Sequence, residues 1–163
     1  MKIESIVTIK KELQHHSKED LLALCLRLGR FKKENKALLT YLLFEAHDED
    51  SYIESIRNTL DEDFKSMNTD SYFYMKKTIR KILRQIKVYT RYSLKKTTEV
   101  ELLLYFCERL NDLKPNIHRN TALSNLYQRQ ITSIKKKVSL LHEDLQYDYN
   151  MHLEELKNFE TYF

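Results

Sequence analysis

One glycine and one proline among 163 residues is the strongest constraint on this chain. Tight β-turns need backbone conformations that Gly, Asn-Gly or Pro supply, and a sheet protein of this length needs many such turns. A chain without them is predicted to be all-α. The abundance of Leu, Lys, Glu and Ile agrees, because these residues lose little rotamer freedom in a helix. Hydrophobic residues are 42% and charged residues 32%, a mix that supports a folded core rather than a disordered chain. The length suits a single domain over 1–163 that needs no disulfide or metal staple.

The helical periodicity divides the chain into six or seven helices. Ile3, Ile6, Val7 and Leu13 mark a short first helix. Ser17, followed by Glu19 and Asp20, is an N-cap with acids at the positive end of a second helix. In that second helix Leu21, Leu22, Leu24, Cys25, Leu26 and Leu28 surround the axis almost completely, a pattern expected in the middle of a bundle. Gly29 is expected to stop the helix through a left-handed cap. The third helix, with Leu38, Leu39, Tyr41, Leu42, Leu43 and Phe44, reads as central too. Ile53, Ile56, Leu60, Phe64 and Met67 form the stripe of a fourth. A sixth, "EVELLLYFCERLNDL", is apolar on most sides and ends before Pro115. Helices two, three and six are therefore the expected centre of an irregular bundle or helical-hairpin repeat. The two cysteine-bearing helices and the segments after them share an Ala-Leu pattern that suggests a duplicated hairpin.

From Asn120 a long C-terminal helix is expected. Tyr127, Ile131, Ile134, Val138, Leu141 and Leu145 alternate four and three apart, as in a coiled-coil seam. The register fails after Leu145 and resumes at Tyr149, Leu153 and Leu156. A kink or break is expected between Gln146 and Asn150, with 146–163 a separate helix or kinked extension. Tyr149, Leu153, Leu156, Phe159, Tyr162 and Phe163 are the candidate surface for a protein partner or for self-association.

The most one-sided stretch is "YMKKTIRKILRQIKVYTRYSLKK", Tyr74 to Lys96, within a span that holds no carboxylate from Ser71 to Thr98. On a helical wheel Met75, Ile79, Ile82, Leu83 and Ile86 form one face. Lys77, Arg80, Lys81, Arg84, Lys87 and Arg91 form the other, a candidate polyanion-binding face. The preceding segment, 45–63, carries Glu45, Asp48, Glu49, Asp50, Glu54, Asp61, Glu62 and Asp63 against the lone base Arg57. A short turn joins the two segments, so they should pack antiparallel, and the acids could neutralise the basic face. Tyr72, Phe73, Tyr74, Tyr89 and Tyr92 interleave with the cations, and exposed rings can stack on bases. Tyr72 and Tyr89 fall on or beside the apolar stripe, which leaves Tyr92 and Tyr74 as the rings expected to be available.

No catalytic constellation is legible. The one Glu-x-x-His, Glu12 to His15, falls at a helix end, and the other histidines lack zinc-type spacing. One glycine cannot build a phosphate-cradling loop. Cys25 and Cys107 sit among leucines, where a thiol is expected to be buried and inert. No cofactor, metal or small-molecule substrate is expected, and the chain is not expected to be an enzyme. No apolar run reaches membrane-spanning length. No signal peptide is visible, and a cytoplasmic location is expected. The stretch "RFKKENKALLTYLLFEAHDEDSYIESI" resembles small all-helical bacterial proteins of uncharacterised function, a resemblance that implies a helical fold and no active site. The function expected first is a non-catalytic interaction or scaffold module. The second is a nucleic-acid-binding accessory protein that uses the basic helix 76–96.

Overall fold

The structure, a computed structural model, describes residues 1–161, with side chains through Lys157. Eight α-helices follow in order: α1 (Ile6–Leu13), α2 (Lys18–Phe31), α3 (Lys33–Thr40), α4 (Glu49–Lys65), α5 (Tyr72–Ser93), α6 (Lys96–Asn111), α7 (Thr121–Val138) and α8 (Glu143–Thr161). A π-helical turn at Tyr41–Glu45 extends α3, and a 3-10 turn at Ile117–Arg119 precedes α7. The described residues contain no strand, and the fold is all-α. Their contacts divide into two compact units, 1–45 and 46–163, where the sequence reading drew one domain.

The larger unit is a helical bundle organised on α6, which packs against α4, α5, α7 and α8. A helix with four neighbours must be apolar nearly all round, and Val100, Leu102, Leu103, Leu104, Phe106, Cys107 and Leu110 are all buried. The amphipathic helices contribute the stripes expected of them. These are Ile53, Ile56, Leu60 and Phe64 from α4, Met75, Ile79, Ile82 and Ile86 from α5, and Leu123, Tyr127, Ile131, Ile134 and Val138 from α7. Tyr127 is fully buried, and its hydroxyl accepts from Asn111 Nδ2 at 3.2 Å.

The break in the C-terminal region comes earlier than expected. It lies at 139–142, before Gln146, and Leu145 is exposed instead of continuing the seam. The cause is local. Ser139 caps α7 after three consecutive lysines in its last turn, and Glu143 and Asp144 suit the N-terminus of a new helix. Gln146 Nε2 donates to the Leu141 carbonyl at 2.8 Å and fastens the turn. α8 then folds back on α6 and α7. Leu153 and Leu156 are each 2% exposed, so these two belong to the bundle interior and not to a free association surface. Tyr149 is half-buried, and its hydroxyl donates to Glu101 at 3.1 Å. Tyr162, Phe163 and the Phe159 side chain lie outside the described residues.

In the unit 1–45, Ser17 caps α2 as expected, accepting from the Asp20 N–H at 3.1 Å. Gly29 does not stop the helix. No glycine has a positive φ, and α2 runs on to Phe31. A Cβ at Gly29 would lie 2.9 Å from Leu39 Cδ1, the movable end of a side chain where α2 packs against α3. The expected central role of helices two and three is not what the structure shows. Neither buries a single residue, and Leu22, Leu26, Leu28 and Phe31 are 48–75% exposed. Within this unit α3 is the partner of α2 and covers one side only. Cys25 is exposed, contrary to the expected buried thiol, whereas Cys107 is buried. This difference also weakens the likeness between the two cysteine-bearing hairpins.

Candidate nucleic-acid interface

The basic face of α5 is built by a stripe of apolar residues on the opposite side. With Met75, Ile79, Ile82, Leu83 and Ile86 held in the core, the helical period forces Lys77, Arg80, Lys81, Arg84, Lys87 and Arg91 outward, and all six are exposed. From Lys77 to Arg91 the row runs about 21 Å at 1.5 Å per residue. Arg84 Nε donates to the Arg80 carbonyl at 3.3 Å, which lays its guanidinium along the helix.

The acidic helix α4 does pack against α5, yet it neutralises little of this row. Asp63 pairs with Lys81, Oδ1 to Nζ 2.8 Å. The other α4 acids turn elsewhere. Asp61 accepts from the Tyr105 hydroxyl at 2.6 Å and meets Arg109 Nε at 3.0 Å, both on α6. Glu54 lies 3.7 Å from Arg57, and Glu62 3.4 Å from Lys65, both on α4 itself. Glu49 accepts from Ser93 and from Thr98 Oγ1, the latter at 2.5 Å, and pairs with Lys95 Nζ at 3.0 Å. Asp48 is the N-cap of α4, accepting from the Ser51 N–H at 3.1 Å, and this bond together with the Ser51 hydroxyl holds its carboxyl below the usual range. Among the described residues, Lys77, Arg80, Arg84, Lys87 and Arg91 therefore have no carboxylate partner.

Those cations line two adjoining grooves. The first, about 690 Å³, is bounded by Phe73, Lys76, Lys77, Arg80, Leu83, Arg84 and Lys87. The second, about 390 Å³, shares Lys87 and continues through Thr90, Arg91, Leu94, Lys95 and Lys96 to Glu99, whose carboxylate lies 3.3 Å from Lys137 Nζ. Phe73, at the first turn of α5, is 71% exposed, and Tyr74 beside it is 48% exposed. Their rings meet edge to face with centroids 5.5 Å apart. An exposed ring beside cations that lack carboxylate partners is a combination that single-stranded nucleic-acid sites use. The periodicity of the sequence located the cations. It could not rank the rings, because Tyr74 and Tyr92 looked available and Phe73 did not stand out, yet Tyr92 is half-buried and Phe73 is the most open.

Outside this face, two tyrosines on the α4–α6–α8 side are strongly perturbed. Burial, with Asp61 accepting from the hydroxyl, pushes Tyr105 up to about 12. Burial, with the Glu101 carboxylate alongside, pushes Tyr149 up to about 12. Arg57 Nη2 joins the second group, 3.1 Å from Glu101 Oε2. These networks link α4, α6 and α8, and each of the two tyrosines holds its proton more tightly than a free phenol. Among the described residues no group of three or more His, Cys, Asp or Glu side chains could hold a metal ion. No helix among them is long and apolar enough to cross a membrane. Comparison with protein-family models, with curated proteins and with solved structures returned no match.

Proposed function

We propose that the protein binds single-stranded nucleic acid along α5, with Lys77, Arg80, Arg84, Lys87 and Arg91 as phosphate ligands and Phe73 as a base-stacking ring. The observation that carries this reading is the lack of any carboxylate partner for those five cations, although an acidic helix packs beside them. Unpaired cations in a row release bound counterions from a polyanion at no cost in broken internal ion pairs. Single strands are favoured because stacking on Phe73 and Tyr74 needs bases free of a duplex, and such stacking contributes about 1–3 kcal/mol per base. Lys81 is a weaker contributor, since Asp63 already holds it. The exposed Cys25 thiol suits a reducing compartment, and a cytoplasmic location belongs to this reading. The expectation of a protein-interaction module has its own support in the apolar surface of residues 1–45.

Fluorescence anisotropy with labelled single-stranded and duplex oligonucleotides over a range of salt tests the proposal. Five phosphate contacts to a single strand predict a logarithmic salt slope of about −3.5, and the triple change Arg80→Glu, Arg84→Glu and Lys87→Glu lowers it to about −1.4 or abolishes binding. Phe73→Ala weakens single-strand binding roughly tenfold and leaves duplex binding unchanged. Wild-type affinity that survives the triple reversal would refute the α5 site.

A further inference from the structure

The surface of α2 points to a second copy of this chain. Near the end of α2, Gly29 is in close approach to Leu39 of α3. Along α2 before it, Leu22 is 61% exposed and Leu26 48%. A helix that is apolar nearly all round is a helix meant to be covered nearly all round. Units of about this size that lack a core of their own are commonly completed by oligomerisation, and in residues 1–45 Tyr41 is the only buried side chain.

The charges say which occupant fits. Glu19 and Arg30 are exposed and have no ion-pair partner among the described residues. At 100° per residue Arg30 sits about 20° from Glu19 around the axis, so the two border the same edge of the Leu22–Leu26 flank. They lie at its opposite ends, the acid in the first turn and the base in the last. When two copies of α2 are laid antiparallel about a two-fold axis, Leu22 of each faces Leu26 of the other. The same register brings Glu19 of each copy to within one residue of lying opposite Arg30 of the other. One register thus satisfies the apolar pair and the charge pair together, and the two-fold axis makes each contact twice. A parallel arrangement would set Glu19 against Glu19 and Arg30 against Arg30.

We infer that the protein forms an isologous dimer through antiparallel packing of α2, with Leu22 and Leu26 at its centre and reciprocal Glu19–Arg30 ion pairs at its ends. The inference is independent of the nucleic-acid reading, since it uses none of the α5 residues.

Sedimentation velocity on the full chain across a micromolar concentration series tests it, with circular dichroism to confirm that each variant keeps its helix content. The wild type is expected to show a dimer that dissociates on dilution. Glu19→Lys turns two attractive pairs into two repulsive ones and should weaken dimerisation roughly ten- to thirty-fold. The double variant Glu19→Lys with Arg30→Glu swaps the charges in both copies and should restore wild-type dimerisation. A wild-type chain that stays monomeric throughout overturns the inference and leaves the flank to another part of the chain or to a different protein. A dimer indifferent to Glu19→Lys, or a double variant that stays as weak as the single one, overturns it too.

Discussion

Leu94 ends α5 with φ 59° and ψ 4°, the one non-glycine residue with positive φ among the described residues. A left-handed conformation costs an L-residue with a side chain about 1–2 kcal/mol, because Cβ crowds the carbonyl oxygen. The position has no compensating burial, since Leu94 is 82% exposed. Replacing it by glycine removes the crowding and forfeits at most a few tenths of a kcal/mol of apolar contact. Against that stands the greater freedom of glycine in the unfolded chain, about 0.5–1 kcal/mol. The balance predicts that Leu94→Gly stabilises the unit 46–163 by about 0.5 kcal/mol, which moves a urea midpoint upward by about 0.2–0.5 M. Leu94→Val serves as the opposite control, because a β-branched side chain tolerates this region worst, and its midpoint should fall. Urea unfolding followed by far-ultraviolet circular dichroism reads both. If the glycine variant is less stable than wild type, or the valine variant equal to it, the cap is not strained and the reasoning fails.

Two further outcomes follow from the packing networks and from Gly29. Tyr105 and Tyr149 should ionise late in a spectrophotometric titration, near pH 12. Their folded pKa values lie above the ordinary 10, so the stability they contribute is whole below pH 10 and is lost as pH rises through 12. Tyr105→Phe should remove one of the late transitions and flatten part of that alkaline loss, and an unchanged titration would refute the assignment. Gly29→Ala should raise helix stability in residues 1–45 by up to about 0.5–1 kcal/mol, because the only atom in the way is the terminal methyl of Leu39, which can turn aside. A loss of helicity in that variant would show that the α2–α3 approach is rigid.

The sequence and the structure agree where a pattern needs only one dimension. The stripe of α5 and the all-round apolar character of α6 follow from period alone, and α6 has the four neighbours that its pattern demands. The same logic misplaced α2. An apolar surround states that a helix needs cover, but it does not say whether the cover comes from the same unit, and here α3 supplies one side. Gly29 read as a stop because its lack of side chain permits a left-handed turn; a close helix contact uses the same property, and only the position of Leu39 decides between them. The break at 139–142 was hidden by Leu140 and Leu141, which prolong the apolar look of the seam although the lysines and the acids on either side mark two helix ends. The fate of the α4 acids was the least legible. Whether Asp61 meets α5 or α6 depends on how far α4 is rolled about its axis, and its wheel position relative to Asp63 is settled only when Leu60 and Phe64 find their places in the core.

The grip of Glu49 on Ser93, Lys95 and Thr98 bears on how α5 meets a ligand. One carboxylate at the start of α4 fastens the end of α5, the turn after it and the first turn of α6. The helix that carries the cations is thereby fastened to α4 and α6 at its C-terminal end. Under the proposed reading, a phosphate chain would meet charges carried on a helix already fastened at one end. Such preorganisation lowers the ordering cost of binding.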